Sequence, residues 1–592
     1  MSRIILSLAA FVLTLTSAQA SVVINETNFP DPNLRERVAE YDFDSDGVLS
    51  DEEIENCREM QAWGAKNLKG LEIFSNLETI ILTGDEESYS SITSFDAKPF
   101  KNLGRFDINN YAITSLDLTY SNNLWNVEVN NCRDFSAIKT TSNNDYVVYM
   151  INLPKLTDMS ACDFKNARGL EFKRTGIQDI DVSNHPTLQW LSVAGDYNAD
   201  GEMIDYELNS VNVAGCNALW ELGMGNVKLQ SVRLSGLPIF YALQLFQCNT
   251  QNLSVENMAN LGGIECSGCS IQNLTIKNCP VLTGVGCADN NLHNLIIDDS
   301  PHLYSVNAEN NKLMWLDMSH VENYDVSDVS WFKVDNQTPS ATAWKLSPTE
   351  VGLRVHERMD PARMLNLKTN GKSVTASETF IDGIRYIVFS NEGANAETLR
   401  GKTSTYEYET KWPYAWVEEN SKDNNLPVSL YISNVEKPAS WIRLSTNSVT
   451  ALWKEALTAP TVTRSQDYDG KLTFSSGNEA VVKVNAETGE LTPVGPGRAT
   501  ITVTGAATDY RQAPSSVSYT VYINVREGDV NRDGMVDVAD ISTILSVMAG
   551  SGLPEGQTSP ADVNNDKTVD VADISSVLSI MAASARMMMN ED

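Results

Sequence analysis

Leu253, Leu274, Leu295 and Leu316 stand 21 residues apart, and Val211 and Val232 extend the column backwards. A second apolar column, Leu219, Phe240, Leu261, Leu282 and Leu303, keeps the same interval. One unit reads LTIKNCPVLTGVGCADNNLHN, residues 274–294. A strict period of this length, with Leu-x-x-Leu-x-Leu-like spacing, predicts a solenoid with one short strand per turn. Degenerate copies precede it at Leu188 and Leu191, Leu116 and Leu118, and Leu77 and Ile80. After Asn336 the period stops. Residues 337–437 alternate in runs such as IRYIVF (384–389) and VSLYI (428–432), which predict a small β module of no assigned type. Residues 438–526 carry short strands with tight turns, among them Leu472-Thr-Phe474, Ala480 to Val484 and Ala499-Thr-Ile501-Thr-Val503. That pattern predicts a β-sandwich.

The nine cysteines all precede residue 288, and their odd number argues against a disulfide framework. Cys266-x-x-Cys269 with Cys279 and Cys287 has the look of a zinc set. The repeat offers a better reading. Cys266 and Cys287, and Cys248 and Cys269, are 21 apart, and Cys216 and Cys279 are three periods apart. These positions are expected to be core residues, since free Cys packs as a small apolar side chain.

Residues 65–336 resemble the leucine-rich repeat surface proteins of bacteria, including the internalin-like group. The resemblance implies the solenoid fold and leaves the ligand open. Alternation along each strand predicts an outward, concave row of Trp190, Ser192, Glu221, Gln244, Phe246, Glu265, Ser305, Asn307 and Glu309. Trp190 and Phe246 are the candidate anchors for a host protein or glycan. The alternative is a Gly-rich inner face with no ligand.

Three segments place acidic oxygens at calcium-loop spacing. In residues 42–53, Asp42, Asp44 and Asp46 offer carboxylates, Val48 its carbonyl, Ser50 a water-mediated contact and Glu53 a bidentate closure. Gly47 allows the sharp turn, and residues 33–41 and 51–60 are expected helices. So dense a set of like charges calls for a cation. The other two segments are a tandem pair 33 residues apart. Their ligand sets are Asp529, Asn531, Asp533, Met535, Asp537 and Asp540, and Asp562, Asn564, Asp566, Thr568, Asp570 and Asp573. Each runs into a helix-like pattern, Ile541, Ile544, Leu545, Met548 and Ile574, Val577, Leu578, Met581. A fourth candidate, Asp196, Asn198, Asp200, Glu202 and Glu207, sits in an insert within the repeats, with Ile204 at the ninth loop position.

The tandem pair closely resembles a type I-like dockerin module. One departure is Lys567 where Gly is usual. The resemblance implies Ca2+ as the cofactor and a cohesin-type domain as partner. It places partner contacts just before the last ligand and along the helix, which here are Val538-Ala539 and Val571-Ala572. Identical pairs in both copies predict a two-fold related recognition surface. Residues 438–526 resemble the bacterial immunoglobulin-like group 2 module, a spacer in secreted and surface proteins.

The chain of 592 residues carries 77 acidic against 44 basic residues, a net −33, which excludes nucleic acid as a bulk partner. Part of that acidity is local. Residues 21–64 hold a net −9 and residues 528–592 a net −8. The cation loops account for this concentration. Arg3, the apolar run 4–15 and Ala18-Gln19-Ala20 read as a secretory leader over residues 1–20, with the mature chain starting near Ser21. No later stretch is apolar and long enough for a membrane span. The five His (185, 293, 302, 320 and 356) are scattered, and the first four are expected to be solvated in solenoid loops. There is no nucleophile elbow or phosphate loop.

The predicted architecture is therefore multidomain: leader 1–20, cap 21–64, leucine-rich repeat solenoid 65–336, β module 337–437, immunoglobulin-like β-sandwich 438–526 and a small α-helical calcium-binding dockerin-like domain 527–592. The expected function is that of a non-enzymatic, secreted or cell-surface calcium-binding protein. It binds a protein or glycan through its repeats and docks to a cohesin-type partner. The alternatives are a component of a polysaccharide-degrading complex, enzyme-linked or non-catalytic, and a purely structural surface protein.

Overall fold

A computed structural model describes residues 21–85, 91–197, 203, 204, 206–322, 331–390, 396–414, 424–550 and 559–589. The predicted leader lies outside them. The chain forms two compact units. The first holds the chain to Ser340 with Ala362–Ser373 and Thr403–Tyr431, and the second Ala341–Pro361, Val374–Lys402 and Ile432–Asp592.

In the first unit, helix α1 (Pro32–Val38) is capped by Asp31, whose carboxylate accepts the Asn33 and Leu34 N–H groups. Helix α2 (Asp51–Asn56) opens with a Ser50–Glu53 capping box. It ends earlier than the expected 51–60, because residues 59–63 alternate and enter the solenoid as its first strand, Glu59–Trp63. From there a 14-stranded parallel sheet runs to Trp331–Lys333. Successive turns pair in fixed register, Leu222 with Leu243 and Leu243 with Ile264.

The solenoid carries more sheet than one strand per turn. Asn252–Glu256, Asn273–Lys277 and Asn294–Asp298 form a second parallel ladder, as do Asp179–Asp181, Tyr206–Asn212 and Val227–Arg233. The cause is local. Leu253 and Val255 are buried while Asn252, Ser254 and Glu256 are exposed, so the first apolar column also has period two. Turns at this edge are made by Asn257, Asn278 and Asp299, 21 apart and all left-handed at φ 60°, 52° and 51°. Asn and Asp tolerate that region better than other side chains with a Cβ.

Eight of the nine cysteines are buried, Cys162 is half-buried, and none is in a disulfide. The core reading of the cysteine columns therefore stands. Among the described residues no cysteine group gathers to hold a metal.

Aromatic side chains of three turns sit on glycines of adjacent turns. A Cβ at Gly104 would lie 2.6 Å from the Trp125 ring, one at Gly169 2.1 Å from Trp190, and one at Gly262 2.3 Å from Tyr241. Each pair is 21 residues apart. His185 differs from the expected solvated side chain. Its Nε2–H donates to the Phe164 carbonyl at 3.0 Å and its Nδ1 accepts the Leu188 N–H at 3.1 Å, tying one turn to the previous one. His320 is half-buried, and its buried Nε2 has no hydrogen-bond partner among the described residues.

The alternating runs of residues 337–437 contribute to both units. Met364–Thr369, Thr403–Glu409 and the strand from Asn425 pair antiparallel in the first. In the second, Glu350–Leu353 and Thr375–Ile381 flank Ile384–Ser390. Beyond them, Ser448–Leu452, Val517–Asn524, Gly497–Gly505 and Leu472–Ser476 make a four-stranded sheet, joined by two short strand pairs. A shared apolar core includes Ile501, Val503, Tyr519 and Val521. Helices α3 (Val538–Met548) and α4 (Val571–Met589) close the chain around Val530, Ile544, Val563 and Val577. No helix among the described residues is long and apolar enough to cross a membrane.

Candidate metal centres

The three calcium-type loops share one set of loop-closing hydrogen bonds. In each, the first carboxylate accepts the N–H groups of the fifth and sixth residues. Asp42 accepts Asp46 N–H at 3.1 Å and Gly47 N–H at 2.8 Å. Asp529 accepts Asp533 N–H at 3.0 Å and Gly534 N–H at 2.9 Å. Asp562 accepts Asp566 N–H at 3.0 Å and Lys567 N–H at 2.9 Å. The third residue, Asp44, Asn531 or Asn564, accepts the fifth N–H at 3.2, 2.8 and 2.9 Å. The fifth carboxylate accepts the seventh N–H, from Val48, Met535 or Thr568.

The backbone repeats as well. Position four is left-handed in Ser45, Arg532 and Asn565 (φ 60°, 59° and 57°). Position six is left-handed in Gly47, Gly534 and Lys567 (φ 83°, 91° and 75°). Lys567 therefore keeps the turn that Gly usually supplies.

The last ligand of each loop ties its ends together. Glu53 accepts Phe43 N–H at 2.7 Å and Ser50 N–H at 2.8 Å. Asp540 accepts Val530 N–H at 2.7 Å and Asp537 N–H at 2.8 Å. Asp573 accepts Val563 N–H at 2.7 Å and Asp570 N–H at 2.8 Å. Asp540 and Asp573 are fully buried. The ninth residues begin helices: Ser50 caps Glu53, and the carboxylates of Asp537 and Asp570 accept the Ala539 and Ala572 N–H groups at 2.7 Å.

The donor set suits a hard divalent cation, which takes six to eight oxygens from carboxylates, amides and carbonyls. One carboxylate oxygen from each of Asp42, Asp44 and Asp46 lies within 4.8 Å of the other two. Their mutual field shows in Asp44. The Asp46 N–H lowers its pKa, but desolvation and the carboxylates of Asp46, Asp42 and Glu53 outweigh that and hold it above the usual value. Glu53 lies below the usual value, through the Ser50 N–H first, then the Ser50 hydroxyl and the Phe43 N–H. Asp533 is lowered by the Met535 N–H and the Asn531 amide, with Lys454 adding charge. Asp566 is lowered by the Thr568 hydroxyl and N–H.

Of the fourth candidate, only Asp196 and Glu207 fall among the described residues. Asp196 pairs with Lys173 at 3.3 Å and Arg174 at 3.5 Å, and Glu207 faces Lys228 at 3.5 Å. Asn198, Asp200 and Glu202 lie outside the described residues.

The helices beyond the paired loops present a duplicated apolar face. Val538 and Val571 are 67 % and 64 % exposed, and Leu545 and Leu578, two turns along each helix, are 50 % and 51 % exposed. Ala539 and Ala572 are exposed beside them. Leu545 and Leu578 belong to this face rather than to the core. The helical apolar pattern alone hides this, but the 33-residue duplication of the exposed pair points to it.

On the solenoid, Phe246 is 58 % exposed as expected. Trp190 is half-buried, seated on Gly169 with the Tyr149 ring 6.2 Å away, and is less free than its position on the strand suggests. A shallow recess of about 570 Å³ is lined by Tyr241, Gln244, Glu265, Thr283 and Asn307 over a floor of glycines. Tyr241 stands just outside its strand, so alternation within the strand does not reveal it.

Residues 527–579 match the family model of the Dockerin type I domain. No curated protein matches the chain. Solved structures similar to it include the functional domain of InlJ from Listeria monocytogenes, described as having a cysteine ladder. It is 13 % identical and covers 71 % of this chain and 99 % of its own, with a TM-score of 0.30. InlP from the same organism is 12 % identical, covers 85 % and 98 %, and has a TM-score of 0.27. The internalin-like protein lmo2027 is 12 % identical, covers 86 % and 99 %, and has a TM-score of 0.23.

Proposed function

We propose that the protein is a secreted or cell-surface, non-catalytic modular protein that loads Ca2+ in its acidic loops and docks to a cohesin-type domain through residues 527–592. Its solenoid then displays a concave face to a protein or glycan. The observation that carries the docking reading is the duplicated C-terminal unit. Two loops with the same hydrogen bonds lead into two helices with the same exposed Val-Ala and Leu positions, within the segment matched by the dockerin family model. Three sets of oxygen donors at calcium-loop spacing support the cation. Calcium at the paired loops would hold each loop against its helix start, fixing the apolar faces that a partner reads.

The test is retention of the mature chain on a panel of immobilised cohesin domains, with calcium and with chelator. Binding in calcium that is lost in chelator is the expected result. Absence of any retained cohesin in calcium would overturn the docking reading.

A further inference from the structure

The two C-terminal loops share a backbone but not their surroundings. In the first loop Asp529 is buried, and Asn531, Asp533 and Gly534 are half-covered. Their counterparts Asn564, Asp566 and Lys567 are exposed. The covering groups come from the turn after strand Ser448–Leu452 in the preceding β module. Trp453 Nε1–H donates to the Arg532 carbonyl at 2.9 Å. The Lys454 side chain lies over Gly534, where a Cβ would meet its Cδ at 2.9 Å and its Cβ at 3.1 Å. Arg526 bonds Glu455 at 2.8 Å.

That turn is itself fixed. Trp453 N–H donates to Asn524 O at 2.8 Å, Glu455 N–H to Leu452 O at 3.0 Å, and Lys454 is left-handed at φ 69°. The Trp453 ring packs on the module's apolar core.

One peptide unit joins the two sides. The amide between Arg532 and Asp533 gives its N–H to the carboxylate of Asp529 at 3.0 Å and the side-chain oxygen of Asn531 at 2.8 Å. Its C=O accepts the Trp453 indole N–H. A peptide is planar, so the oxygens that hold a cation and the indole that holds the module set the orientation of the same rigid plate. We propose that the 529–540 loop is a calcium-set joint that fixes the C-terminal helical pair to the preceding β module, while the 562–573 loop is left free of that role.

The joint also explains the departure at position six. Gly534 is required twice, by its left-handed φ and by Lys454 packed on its bare Cα. Position 567 carries the φ requirement alone and accepts Lys.

The inference rests on the reading of 529–540 as a calcium loop, and one experiment on the mature full chain separates the two. Calcium stoichiometry is measured by titration, and limited trypsin digestion follows cleavage at Arg526 and Arg532. The expected result is protection of both sites in calcium and cleavage about tenfold faster in chelator, since cleavage follows local opening. Gly534→Lys, which copies the second loop, and Trp453→Phe, which removes the indole N–H donor while keeping an aromatic ring on the core, should cleave fast even in calcium. Trp453→Phe should retain the wild-type number of bound ions. Lys567→Gly should behave as wild type. A wild-type chain that binds no calcium defeats the calcium reading itself. A chain that binds calcium yet is protected equally in chelator overturns the joint, as does Trp453→Phe with wild-type protection.

Discussion

Asn290 and Asn311 stand one turn apart and are bonded into the solenoid by the same pattern. The Asn290 amide donates to the carbonyls of Cys266, Cys287 and Ala288 at 2.8, 3.1 and 3.1 Å. The Asn311 amide donates to Cys287, Ala308 and Glu309 at 2.9, 3.1 and 3.1 Å. Each oxygen accepts N–H from the preceding turn, Cys269 and Ile271 at 2.9 Å for Asn290 and Leu292 at 2.9 Å for Asn311. Gln337 ends the series, accepting Leu313 N–H at 3.0 Å. Both asparagines are buried, so an alanine there strands several backbone groups away from water. Asn290→Ala and Asn311→Ala should each cost about 3 kcal/mol in denaturant unfolding. A loss within about 0.5 kcal/mol would show that water replaces the amide.

The buried carboxylates of Asp540 and Asp573 act with or without a cation, because they close the loop onto the helix. Asp540→Ala should remove one calcium from the titration and loosen α3 even in chelator, read as lost amide-exchange protection at Val530 and Asp537. Asp573→Ala should do the same for α4. Full protection in the metal-free variants would mean that the loops are held by other contacts.

Either apolar face can present a partner with the same chemistry, so single changes should be partly silent. Val538→Asp with Leu545→Asp should weaken cohesin retention only a few-fold, and likewise Val571→Asp with Leu578→Asp. All four together should reduce it at least about a hundredfold, as hot-spot truncations do. Complete loss from one pair alone would assign docking to a single copy.

His320 gives a pH dependence. Burial lowers its pKa, with Asp298, Asp317 and Asp299 pulling the other way. In the unfolded chain an ordinary His titrates near about 6.5. Between that value and the lowered folded one, the unfolded state holds the extra proton. The stability is therefore present above about pH 6.5 and declines as pH falls through that window toward the folded value. Melting between pH 7 and 5.5 should be flatter in His320→Phe than in the wild type. Identical slopes would place the titrating group elsewhere.

Gly169→Ala should unseat Trp190, since the added carbon has only 2.1 Å to the ring. The expected readout is a red-shifted Trp emission with a lower melting temperature. Unchanged emission would show that the ring slides without loss.

Much of this was legible because the period is strict. Columns at Leu253 and Leu282 located the turns, and the cysteine spacing placed those side chains in the core. The loops were legible because ligand spacing is a local property. What escaped lies in contacts between turns or modules, which no local pattern encodes. The His185 tether needs Phe164 brought beside it, 21 residues back. The second strand at Leu253 was masked by reading the repeat as a single strand. The exposure of Leu545 and Leu578 is not legible because a helix with several apolar positions does not say which of them its neighbour covers. Trp453 carried no signal at all until Arg532 lay against it.

The aromatic rings resting on bare glycines have a meaning for how such a chain changes over generations. Trp125 with Gly104, Trp190 with Gly169, and Tyr241 with Gly262 are each one repeat apart, so neither partner is free to drift alone. A glycine can gain a side chain only after its aromatic neighbour has shrunk. A repeat can be lost cleanly only if the cut spares both members of a pair or removes both. Across related chains these positions are expected to be inherited as couples, and the couples mark where the array resists being shortened.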